Sequence, residues 1–165
     1  MQALSTTASL LKVHKQNQPT PANPPMIRSC SIPPVLNRIC DDTIHSALLV
    51  TMDGELLGAS TKNNNSNRIK DPQALGALIA DMGVDYMRLG EELAAVDAVQ
   101  RSKSHMRCVL LELELGVVGV AACLGIDCLV IAVADADVPL GQMKAKLEGL
   151  STFVQESFSS LSETA

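Results

Sequence analysis

The stretch from Arg107 to Ala134, RCVLLELELGVVGVAACLGIDCLVIAVA, constrains the fold more than any other part of the chain. From Leu115 to Ala134 there are twenty residues with one charge, Asp127. At about 1.5 Å per residue, a helix of that length could cross a membrane. The alternative is a meander of three short strands, each buried on both faces. Gly116, Gly119 and Gly125 interrupt the run, and Val117, Val118, Val120, Val130, Ile131 and Val133 are β-branched, which suits a pleated surface. Gly125-Ile126-Asp127 is a turn signal between two apolar segments. An Asp near the centre of a membrane helix would cost roughly 2.5–3.5 kcal/mol. The reading is three strands.

Those strands need partners, and 165 residues provide one domain with some chain left over. Hydrophobic residues make up 47% of the sequence, with no Trp, one Tyr and two Phe, so the core is aliphatic. A net charge of −5 without a Lys/Arg cluster argues against a nucleic-acid surface, as does the scarcity of aromatic rings to stack on bases. Cys30, Cys40, Cys108, Cys123 and Cys128 include no C-x-x-C pair, and the last three lie in apolar strands as small hydrophobes. A reducing compartment is the economical reading, and no zinc site is expected.

Residues 1–32 are rich in Ser, Thr, Gln, Asn and Pro and contain no acidic residue. The composition fits a disordered tail, or alternatively a transit peptide. A short helix is expected from Pro33 to about Thr43, since prolines are tolerated in a first turn. Ser46–Met52, Asp53-Gly54 and Glu55–Ser60 read as a hairpin. Thr61–Lys70 reads as an exposed loop. Asp71-Pro72 then opens a long central helix, Asp71 as N-cap and Pro72 in the first turn.

Two stripes run along that helix. Leu75, Leu78, Ile79, Met82, Tyr86, Leu89 and Leu93 recur at helical period and could pack on a sheet. Beside them lie Gly76, Ala80, Gly83, Met87 and Gly90, a strip of small or flexible residues. Each glycine costs about 0.8–1.0 kcal/mol relative to Ala in a helix, so something must offset it. Either a partner backbone approaches the strip, or the glycines accommodate the domain's own sheet. On the first reading, Gly83→Leu should break a dimer and spare the fold. Asp81, Asp85, Arg88 and Glu92 are left as the solvated edge. A polar linker, Ala98–His105, precedes the three strands. A last helix is expected over Val138–Ser160, buried through Leu140, Met143, Leu147, Leu150, Val154 and Phe158 and capped by Asp135 or Asp137.

The resulting fold class is α/β, in the order α-β-β-α-β-β-β-α: five mostly antiparallel strands with helices able to cover both faces. Motifs for chemistry are missing. His14, His45 and His105 are solitary and read as surface histidines, and Asp135-x-Asp137 lacks the rest of a cation loop. With no P-loop either, no catalytic residue, cofactor or metal is expected.

The order of elements and several stretches resemble the roadblock family, and within it the small roadblock subunits of the Ragulator adaptor. The resemblance is carried by LLVTMDGELLGAS (Leu48–Ser60), RCVLLELELG (Arg107–Gly116), the segments VGVAACLG and CLVIAVA, and above all GQMKAKLEGL (Gly141–Leu150). It covers about Met26 to Leu161. Residues 1–25 have no counterpart and are expected to be a dispensable extension, or to come from an upstream start codon; the Asn-rich loop before the central helix also departs from the family. The resemblance implies a non-enzymatic scaffold that dimerises through its central helix and third strand. Here that means Gly76, Ala80, Gly83, Met87 and Gly90 together with Val109, Leu111 and Leu113. It implies a second roadblock subunit, Rag-type GTPases and a lipidated anchoring subunit as partners, no nucleic acid, and no membrane insertion by this chain. The implied setting is the late endosomal or lysosomal surface, in mTOR and MAPK signalling. A homodimeric module, such as a dynein light chain or small-GTPase regulator, is the alternative within the fold.

Overall fold

The computed structural model describes residues 31–62, 69–96 and 107–162. In chain order the elements are α1 (Ile32–Leu36), β1 (Ile44–Thr51), β2 (Leu56–Thr61), α2 (Pro72–Val96), β3 (Cys108–Leu113), β4 (Gly116–Cys123), β5 (Cys128–Ala134) and α3 (Leu140–Ser162). The apolar run is thus three strands, and no helix among the described residues is long and apolar enough to cross a membrane. The expected tail at 1–32, apart from its last two residues, most of the loop before α2 and the linker after it lie outside the described residues. So do His14, His105 and Cys30.

One sheet holds all five strands in the order β2-β1-β5-β4-β3, every neighbouring pair antiparallel. Period-two alternation splits its side chains between two cores. Leu48, Val50, Val118, Val120, Leu129 and Ile131 point to the face that α2 covers, with Ile79 and Ala80 of the helix among them. Ala47, Leu49, Val117, Ala121, Val130 and Ala132 point to the other face, where Leu36, Met143, Leu147, Leu150 and Val154 of α1 and α3 close over them. Burial of a side chain such as Leu49 or Leu147 contributes about 1.5–3 kcal/mol each. β4 is buried along its whole length and β5 at all but one residue. β3 is not: it is half-buried to exposed, because it is the sheet's edge.

Several local expectations need correcting. The first helix stops at Leu36 instead of reaching Thr43. Beyond the Asn37 cap the chain continues in i→i+3 turns to Cys40, and Asp41 then turns it into β1: its Oδ1 accepts the N–H groups of Thr43 (2.9 Å) and Ile44 (2.8 Å) and the Thr43 hydroxyl (2.8 Å). The hairpin turn has three residues rather than two. Thr51 N–H donates to Glu55 O (2.9 Å) around Met52-Asp53-Gly54, and Gly54 takes φ +84°, which a glycine adopts without steric cost. α2 starts as expected, with Asp71 Oδ1 accepting Ala74 N–H at 3.0 Å. α3 begins at Leu140, whose side chain is exposed while Val138 just before it is buried. Asp135 is engaged elsewhere: His45 Nε2 lies 2.9 Å from its Oδ1. His45 is therefore no surface residue; it is 2% exposed at the start of β1.

Candidate interaction face on helix α2 and strand β3

The long helix sits on its small residues. A Cβ added at Gly76 would come 2.8 Å from Val50 Cγ1, and one at Gly83 would come 3.2 Å from Val120 Cγ1 and 3.5 Å from Leu129 Cδ1. The projecting valines of β1 and β4 thus fill the space that side chains at Gly76 and Gly83 would need. Gly76, Ala80 and Gly83 are buried against the protein's own sheet, the second of the two readings of the strip. They are covered within a single chain, and the close contact with the sheet offsets the helix-propensity cost of the glycines. Met87 and Gly90, further along the strip, are half-buried.

The other stripe is divided: Ile79 is buried, and Leu75 and Met82 pack against the same core, while its remaining members are left open. Leu78 is 60% exposed, Leu89 46%, Leu93 61% and Val96 83%, with Tyr86 also exposed on the same flank. At 100° per residue these fall on one side of α2, about a third of a turn from Gly76 and Gly83. Single exposed apolar residues need no explanation, but several on one flank of a 25-residue helix make that flank the candidate contact surface. The sequence presented both stripes at helical period. What it withheld was that the sheet would take the small strip and only Leu75, Ile79 and Met82 of the larger stripe.

Strand β3 carries a second open apolar surface, on the side of the sheet that α2 covers. Val109 pairs with Val120 and Leu111 with Val118 across the ladder, so both point to the α2 side of the sheet. α2 packs mainly over β2, β1 and β5, with β4 at its margin, and Val109 and Leu111 of β3 are left only half-buried. Leu113 is 58% exposed. Among the described residues no strand lies beyond β3, and its outward N–H and C=O groups form an edge. The three β3 residues of the predicted interface therefore lie on an available surface, whereas Gly76, Ala80 and Gly83 do not.

Two polar arrangements missed in the sequence hold the face in place. Gln73, in the first turn of α2, donates from Nε2 to Gly54 O (3.0 Å) and accepts Leu56 N–H at Oε1 (3.1 Å), pinning the helix to the hairpin turn. On the opposite face, Lys146 of the GQMKAKLEGL stretch pairs with Asp41 and ties α3 to the start of β1. Burial acts to raise the Asp41 carboxyl, but Lys146, the two N–H groups and the Thr43 hydroxyl outweigh it and hold it well below the usual carboxylate range. The described thiols Cys40, Cys108, Cys123 and Cys128 are free. Burial pushes Cys108 up to about 11 and Cys123 up to about 12, which makes them poor nucleophiles at neutral pH.

No protein-family model matches the sequence, and no curated protein matches it either. Solved structures do match. MglB of Myxococcus xanthus is similar with a TM-score of 0.62 at 16% identity, over 82% of this chain and 93% of that one. An MglB with a tetrameric arrangement gives 0.59 at 17% identity, over 81% and 89%. A roadblock/LC7 domain from Streptomyces avermitilis gives 0.54 at 15% identity, over 76% and 92%. At these identities the likeness is one of fold, and that fold is the roadblock/LC7 type.

Proposed function

We propose that this chain is a non-enzymatic scaffold subunit that joins a second roadblock-type subunit through α2 and β3. The observation that carries this reading is the open apolar flank of α2, Leu78, Leu89, Leu93 and Val96, together with the half-buried or exposed Val109, Leu111 and Leu113 of an edge strand. A roadblock fold with such a flank has a side to share and, among its described residues, no group of three His, Cys, Asp or Glu that could hold a metal. In the finer reading, drawn from the sequence resemblance, the pair is a Ragulator-type heterodimer. It presents Rag-type GTPases to the mTOR complex, scaffolds MAPK signalling, and is held on the lysosomal surface by a lipidated subunit. The tetrameric arrangement of one similar MglB favours a second reading, in which copies of this chain assemble with each other.

Leu78→Asp tests the interface. The residue is exposed, so the variant should unfold at the same denaturant concentration as the parent, while light scattering should show loss of the assembled species. An unchanged assembly mass would remove α2 from the interface. Affinity capture of the tagged chain from its own cells separates the finer readings. A distinct roadblock protein recovered with Rag-type GTPases supports the heterodimer, and recovery of this chain alone moves the function to the self-assembling module.

A further inference from the structure

The β4–β5 turn carries a feature that the scaffold reading does not use. Cys123 ends β4 and Cys128 begins β5, and the two are direct partners in the ladder. Residues opposite one another in an antiparallel pair project to the same side, and both thiols belong to the core beneath α3. Ala122 N–H donates to Arg107 O (3.1 Å), so Ala122 turns its main chain toward β3 and Cys123 turns its own toward β5. Cys123 O accepts Ile126 N–H (3.2 Å) and Cys128 N–H donates to Ile126 O (2.7 Å), so the two cysteines close the turn as the last pair of the ladder, where opposed Cα atoms stand about 4.5–5.5 Å apart. That lies inside the disulfide range of roughly 4.4–6.8 Å.

We infer that Cys123 and Cys128 are a reversible dithiol–disulfide pair that clamps the β4–β5 turn under oxidising conditions. Opposed Cβ atoms stand about 4.5–5.5 Å apart in a sheet, whereas a disulfide draws them to about 3.5–4.5 Å. Closing the bond therefore pulls the strands together and strains the ladder. A strained disulfide is easily reduced, the property of a regulatory bond rather than a permanent staple. Access comes through the turn, where Leu124, Gly125 and Asp127 are exposed. The chemistry balances with a small disulfide such as glutathione disulfide. One protein thiolate attacks a glutathione sulfur and expels glutathione thiolate. The second protein thiolate then attacks the mixed disulfide, forms the Cys123–Cys128 bond and expels the other glutathione; the two thiol protons pass to the released thiolates.

The clamp would act on the floor beneath α2. The turn lines a cavity of about 140 Å³ together with Met52, Met87 and Glu91, and Asp127 O accepts Met52 N–H at 3.0 Å. Fixing the turn fixes that wall. Burial is the main influence that raises both thiols, so the exchange should be slow at neutral pH and should quicken about tenfold per pH unit as thiolate accumulates.

The test uses the full chain, equilibrated with mixtures of glutathione and glutathione disulfide at pH 8, alkylated and read by peptide mass spectrometry. The expected product is lighter by two hydrogens, with Cys123 and Cys128 joined and protected from alkylation, and dithiothreitol restores both thiols. Cys128→Ser should abolish that product and leave Cys123 at most as a glutathione adduct. Two independent glutathione adducts, or alkylation of both residues at every ratio tried, overturns the inference. The outcome does not depend on whether the chain is a scaffold.

Discussion

At the scale of single residues, polar and backbone details decide more than composition suggests. Asp41 holds the α1–β1 corner through Thr43, Ile44 and Lys146, and each of those contacts needs or prefers its charge. Because its folded carboxyl is held below the unfolded value of about 3.9, its contribution is fully present above that pH and fades as pH falls below it. Asp41→Asn should therefore lower the urea midpoint at pH 6, and the gap from the parent should narrow as pH drops from about 4 toward 2. A constant gap would mean that the Lys146 pair contributes nothing. Gly149 is the opposite case. It lies exposed in the middle of α3, and a Cβ there would meet nothing within 4 Å. Gly149→Ala should thus raise stability by about 0.4–1 kcal/mol, through helix propensity and a less flexible unfolded chain, as denaturant titration would show.

At the scale of elements, α2 shows how far a pattern can be read. Its start at Asp71-Pro72 and its two stripes were legible, because capping chemistry and helical period are local. The assignment of stripes to neighbours was not, because it depends on the shape of a sheet assembled from distant strands. Val50 and Val120 stand proud where the helix crosses, and only Gly76 and Gly83 leave them room. Gly83→Leu is accordingly expected to act on the fold itself. The first added carbon already meets Val120 at 3.2 Å, and the full side chain should cost about 1–3 kcal/mol of overpacking, visible as a lower denaturation midpoint. The three central strands were legible for the same reason as the cap: β-branched runs and a Gly-Ile-Asp turn are local signals. The edge position of β3 and the His45–Asp135 contact were not, since both follow from the pairing of β1 with β5, strands far apart in the chain.

At the scale of the whole molecule, the sheet ends in two edge strands, β2, which packs with α1, and β3, whose Val109, Leu111 and Leu113 face the α2 side; the proposed assembly uses β3. Along β3 the main chain alternates: Val109, Leu111 and Leu113 bond inward to β4, and Cys108, Leu110 and Glu112 direct their N–H and C=O groups outward. Glu112 is exposed, so its side chain contributes little to the fold. Proline at that position removes one outward N–H and no bond of the internal ladder, and edge strands tolerate proline on that side. Glu112→Pro should therefore leave the chain folded, with an unchanged far-ultraviolet circular dichroism spectrum, yet weaken any assembly built by strand pairing across β3. If sedimentation shows the assembly intact, then partners meet through α2 alone. If assembly fails in Glu112→Pro and in Leu78→Asp alike, helix and edge strand form one continuous interface, and a partner must present both a helix flank and a strand edge to occupy it.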